Sequence, residues 1–132
     1  MLAARLTLAL AFVLASVACD SMDSGPTADE LDGFWVNVDD GTIRAYDFSG
    51  TVRTYVLYVY DDGANPGRPN QSGTYEISKS RLVTNVDDAL DASAINQSFV
   101  QDISGFDGAR FTLESLPHGT GSRLFTRADA LP

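Results

Sequence analysis

From Gly33 onward, short runs rich in Val, Ile, Thr and aromatic residues alternate with clusters of Gly, Pro, Asn and Asp. That rhythm leaves room for little except an antiparallel all-β fold. Eight runs read as strands, at 33–38, 42–48, 52–60, 72–78, 81–86, 97–104, 109–115 and 122–127. The first two are separated by Asp39-Asp40-Gly41, a hairpin signal, because Gly accepts the positive φ such turns demand. The third carries Val52, Val56, Val59, Tyr55, Tyr58 and Tyr60, residues that pack well on a pleated surface. A long turn at 61–70 follows, with Pro66 and Pro69 blocking ladder hydrogen bonds. The stretch 88–103 admits two readings. Ile95, Phe99 and Ile103 are spaced by four, as on a helix face, yet they also share one face of a strand. The alternation Phe111-Thr112-Leu113-Glu114 after the Asp107-Gly108 turn favours a strand at 97–104, with 87–94 as a loop. Eight strands joined by turns, with no helical crossover rhythm, predict an up-and-down meander. Closing it into a small barrel would remove its edges.

The chain has 132 residues, enough for one domain with a real core. Its formal net charge is −9, and loss of Arg5 with the export segment described next makes it −10. Phosphate backbones repel such a surface, so nucleic acid is excluded as an expected partner. The acids are scattered through turns, as suits a solvated surface.

Residues 1–18 have the parts of a secretory signal. Arg5 is the positive region, 6–17 form an apolar run, and Ser16-Val17-Ala18 are the small residues of a cleavage point. The run is too short for a comfortable transmembrane span, which needs about 20 residues. Cys19, the single cysteine, follows at once. Ser16-Val17-Ala18-Cys19 resembles the lipobox of bacterial lipoproteins, with Ser16 where that family usually has Leu. The resemblance implies a palmitate-type acyl anchor on Cys19, a mature protein starting there, and a lipid-anchored location in the cell envelope facing the periplasm or exterior. Cleavage by the ordinary signal peptidase, releasing a soluble protein with a free thiol, is the competing reading. Lipidation accounts for both the position and the solitude of Cys19. Residues 20–30 are polar, contain Gly25 and Pro26 and lack periodicity, so 19–30 reads as lipidated Cys and flexible tether and 31–132 as the domain.

Three short motifs then come together: Leu31-Asp32-Gly33-Phe34-Trp35, Gly73-Thr74-Tyr75-Glu76-Ile77 and Leu124-Phe125-Thr126-Arg127. They resemble the lipocalin-like, calycin-type domains of small bacterial lipoproteins. There, a Gly-x-Trp opens the first strand and an Arg near the end of the last packs across the indole. The resemblance implies that Gly33, Trp35 and Arg127 close the barrel. It also implies that the interior binds a small apolar ligand. Strand alternation raises a tension: Phe34, Val36 and Val38 share one face, and Trp35 points the other way.

The aromatic residues are the best functional lead. Tyr55, Tyr58, Tyr60 and Tyr75 are the candidate ligand-binding side chains, and both faces of the third run are apolar. Core filling on one face, with a terminal segment covering the other, is the plainer explanation. No catalytic residue is expected. His118, the only histidine, lies in a turn, and Asp39-Asp40, Asp61-Asp62 and Asp87-Asp88 read as turn chemistry. No metal or other cofactor is implied. The expected function is that of an envelope lipoprotein whose barrel binds a small apolar ligand. The alternative is a protein-interaction or structural module of the envelope, without a small-molecule ligand. The expected partners are the membrane through Cys19, and an apolar ligand or envelope protein.

Overall fold

The structure, a computed structural model, describes residues 25–117 and 119–132. The export segment, Cys19 and His118 lie outside the described residues. Eight antiparallel strands follow one another as a meander and close into a barrel, with β8 returning to β1. They are β1 (Gly33–Asp39), β2 (Thr42–Ser49), β3 (Thr54–Asp61), β4 (Gln71–Ser78), β5 (Arg81–Ala89), β6 (Ser98–Ser104), β7 (Arg110–Ser115) and β8 (Ser122–Ala128). A four-residue helix, α1 (Ala28–Leu31), precedes β1, and one 3-10 turn, Ala92–Ala94, lies between β5 and β6. The architecture expected from the run-and-turn rhythm is the one observed, and it is compatible with a lipocalin-like fold.

Local chemistry explains the boundaries. Asp40 and Gly41 have φ of 49° and 74°, the left-handed pair of a two-residue hairpin, and Asp39 pairs Thr42 across it. Lys79 and Ser80 form the β4–β5 turn in the same way, with φ of 50° and 68° and no glycine. The third strand starts at Thr54 rather than at 52, because Arg53 turns the chain with a φ of 55°. The stretch 88–103 resolves as the end of β5, the 3-10 turn and all but the last residue of β6. The acidic 87–94 segment is therefore only partly loop.

The core lies inside the barrel towards the end where α1 docks. Trp35, Phe48, Tyr55, Tyr75, Phe111 and Phe125 are its large buried side chains. The inner face of β1 is Trp35 and Asn37, and Val38 is 58% exposed. That settles the β1 tension against the face carrying three apolar residues. A second, smaller cluster sits on the outer wall. Ile43, Ala45 and Tyr60 are buried there with Val36, Tyr58 and Leu131 against them. The Tyr60 hydroxyl donates to the Pro132 carbonyl at 2.9 Å. A terminal segment thus covers the outer apolar face of β2 and β3.

The helix corrects the tether reading at its C-terminal end. Thr27 accepts from the Glu30 N–H while Glu30 accepts from the Thr27 N–H, a complete capping box. This places fully buried Leu31 over one end of the barrel. Thr27-x-x-Glu30 was present in the sequence as a capping signal and marks where the folded unit starts.

Candidate functional site

At the α1 end, the three residues implied by the lipocalin resemblance come together. The Arg127 guanidinium carbon lies 4.2 Å from the centroid of the Trp35 ring. Trp35 pairs Arg127 in the β1–β8 ladder, so both project inward at the seam. Arg127 Nε donates to Gly108 O at 2.9 Å, Nη1 to Asp32 O at 2.8 Å and Nη2 to Glu30 O at 2.7 Å. Trp35 Nε1 donates to Leu31 O at 2.8 Å, and Phe111 and Phe106 tilt against the indole at 4.8 Å and 6.0 Å. Gly33 has a φ of +117°, and a Cβ there would stand 3.1 Å from Arg127 Nη1. The positive φ favours glycine, and a Cβ would also crowd the guanidinium. Each of these indole and guanidinium nitrogens has a backbone carbonyl acceptor, so this end is a closure.

The four candidate tyrosines do not converge. Tyr55 points inward, and its hydroxyl accepts from Gln71 Nε2 at 3.1 Å. Tyr75 also points inward, but near α1, where its hydroxyl donates to Ala28 O at 3.3 Å. Tyr58 and Tyr60 belong to the outer cluster. Burial raises the Tyr75 phenol to about 12 and also lifts that of Tyr55.

The opposite end of the barrel is open. Two adjoining lobes meet at Tyr46, Gln101 and Ser115. The larger, about 430 Å³, is flanked by Phe99, Val100 and Leu116, with Gln71 and Thr84 deeper on β4 and β5. Phe99, on the inner face of β6 with Gln101 and Ile103, is 44% exposed at the mouth, while Val100 points to the outer face. The smaller lobe, about 230 Å³, reaches Leu57, Leu113 and Phe125 and is bordered by Arg44 and Arg123. Tyr46 is buried between the core and the lobes, stacked on Phe48 at 5.0 Å. Burial dominates its titration and pushes the phenol up, with Tyr55 adding to the rise, while Arg123 and Arg44 pull it back only in part. It therefore stays a neutral phenol at physiological pH. Its hydroxyl has no hydrogen-bond partner among the described residues. The Nε of Arg123 is likewise buried without an acceptor.

Sequence reasoning counted Tyr46 among the aromatic residues without assigning it to the ligand, and passed over Arg44 and Arg123. The signal was available in β2: Arg44, Tyr46 and Phe48 alternate with Ile43, Ala45 and Asp47, and Phe48 belongs to the core. That alternation sends Arg44 inward.

A third depression of about 680 Å³ lies on the flank of β4–β6, lined by Lys79, Arg81, Asp102 and Glu114 among others. It carries both signs of charge, and the Arg81–Asp102 pair at 3.1 Å lies across it. Among the described residues, no group of three or more His, Cys, Asp and Glu side chains is placed to hold a metal. Among the same residues, no helix is long and apolar enough to cross a membrane.

No family model matches the chain. No curated protein matches it either.

Proposed function

We propose that the protein is a binding module rather than an enzyme, and that its open end takes up a small ligand with an apolar body. The observation that carries this reading is the two-lobed cavity, which is bordered by Phe99 and Leu116 and meets the buried aromatic core at Tyr46. Its dimensions fall within the few hundred Å³ typical of small-molecule sites. The residues assigned to the ligand shift accordingly, from the four tyrosines to the cavity wall. The Cys19 motif supports an acyl anchor and a place in the cell envelope.

Two experiments test the proposal. N-phenyl-1-naphthylamine, a neutral fluorescent probe, should bind the mature protein. Gln101→Trp, at the junction of the lobes, should weaken that binding about tenfold or more while leaving the fold intact. Unchanged binding in Gln101→Trp would remove the cavity from the argument. Labelled palmitate should enter the wild-type protein in cells and not Cys19→Ser.

The interaction-module alternative draws on exposed Phe99 and Val100 as a docking patch. Phe99 shares the inner face of β6 with Gln101 and Ile103 and borders the cavity mouth, so ligand binding accounts for it, while Val100, paired with Val83, projects singly from the outer face.

A further inference from the structure

We infer that the ligand of this cavity is an amphipathic anion: a carboxylate or sulfonate group sits between Arg44 and Arg123 in the smaller lobe, and the hydrocarbon lies in the larger one. This rests on the binding function proposed for the same cavity and specifies its chemistry.

The first ground is charge. The chain has eighteen Asp and Glu against nine Lys and Arg. Yet no carboxylate lines either lobe, and the ionisable side chains there are Arg44, Arg123 and Tyr46. In an acidic protein, a cavity whose only ionisable side chains are two cations and a phenol is a reversal that needs a reason. The acids of the surrounding loops, Asp39, Asp40, Asp61, Asp62 and Asp91, are solvent-exposed and occupy none of the cavity's donors. Water and salt screen them over about 8 Å at physiological ionic strength.

The second ground is the state of the arginines. Arg81 is paired with Asp102, Arg110 with Asp107, and each nitrogen of the Arg127 guanidinium donates to a carbonyl. Arg44 and Arg123 form no ion pair among the described residues, and Arg123 Nε is buried and unsatisfied. A guanidinium N–H removed from water without an acceptor is destabilising, and an incoming anion relieves that state with a charge-assisted hydrogen bond. Arg44 on β2 and Arg123 on β8 flank β1, so they approach the smaller lobe from two strands of the same wall. The Tyr46 hydroxyl adds a neutral donor at the point where the lobes meet.

The third ground is the division of the cavity. The two arginines border only the smaller lobe, beside Leu57, Leu113 and Phe125, and the larger lobe is lined by Phe99, Leu116 and uncharged polar side chains. A ligand matched to both has a charged head and an apolar body. A neutral lipid would leave the buried Nε of Arg123 without an acceptor.

The test compares two fluorescent probes that differ by one group, 8-anilinonaphthalene-1-sulfonate and N-phenyl-1-naphthylamine, on the full mature protein. The sulfonate should bind about tenfold or more tightly than the neutral amine. Arg44→Gln and Arg123→Gln should each lower sulfonate affinity about tenfold while leaving the amine within about twofold. Arg44→Lys and Arg123→Lys should recover part of the loss. Thermal melts of each variant establish that it is folded. Equal affinity for the two probes in the wild type would overturn the inference while leaving cavity binding in place. Unchanged sulfonate affinity in both Gln variants would do the same. Failure of both probes to bind, or binding indifferent to Gln101→Trp, would overturn the cavity reading and this inference together.

Discussion

At the end of the barrel where α1 docks, the Trp35 indole N–H and all three nitrogens of the Arg127 guanidinium donate to backbone carbonyls. At the other end, Arg123 Nε is buried with no acceptor among the described residues, the Tyr46 hydroxyl makes no hydrogen bond to them, and Phe99 stands half in water. Both ends use aromatic and guanidinium side chains. What differs is whether the protein itself supplies their partners. A satisfied arginine is a structural staple, whereas an unsatisfied one is an available donor.

The sharpest way to break this contrast is truncation at the docked end. Trp35→Ala removes a fully buried indole and leaves a cavity beside Phe111, and should destabilise the fold by about 3–5 kcal/mol in urea denaturation. A comparable loss in Arg44→Gln would erase the distinction between the ends. Arg127→Ala should cost about 1–2 kcal/mol in the same measurement, since its guanidinium is solvent-accessible and its ring contact modest. Lysine at 127 should restore only part, because one ammonium cannot reach three carbonyls in a fixed fork. Tyr75→Phe should cost about 1 kcal/mol or less, reflecting the long 3.3 Å bond to Ala28 O. It also carries a pH signature. The folded phenol titrates near 12, against 10.0 for the unfolded chain, so the unfolded state sheds its proton first as pH rises. Stability from this group is complete below pH 10 and is lost between pH 10 and about 12. Denaturation midpoints followed through that window should fall less steeply in Tyr75→Phe than in the wild type. Tyr46→Phe should leave the denaturation midpoint within about 0.5 kcal/mol of wild type, because the hydroxyl bonds to no described protein group. A large loss there would mean that the open end is stapled as tightly as the other.

The sequence was most readable where local chemistry acts alone. Eight runs and the turns between them follow from β-branched density, Gly, Pro and the Asp-Gly pairs, and the observed strands differ mostly by one to three residues at their ends. Gly33, Trp35 and Arg127 were recognisable through resemblance, and the structure brings them together at the β1–β8 seam. The inward face of β1 was hidden because three apolar residues alternate with Trp35 and Asn37. Hydrophobicity pointed one way and barrel curvature the other. The helix was missed because four residues cannot show periodicity; only the Thr27–Glu30 box announced it. The open-end cavity was missed for a different reason. Tyrosines attracted attention as aromatic mass, while Arg44 and Arg123 looked like ordinary surface charge. Whether an arginine is partnered depends on the closure of all eight strands, which no local pattern encodes.

The docking of α1 also fixes a direction. Gly25 lies against Ser80 in the β4–β5 turn, at the plugged end of the barrel. An acyl chain on Cys19 would be joined to that point through residues 20–24 alone, a reach of about 20 Å when fully extended. A protein moored in this way turns its plugged base towards the lipid and its mouth towards the aqueous compartment. Cargo would then arrive and leave through water, handed over by another carrier or by free diffusion, and would not be drawn sideways from the host bilayer.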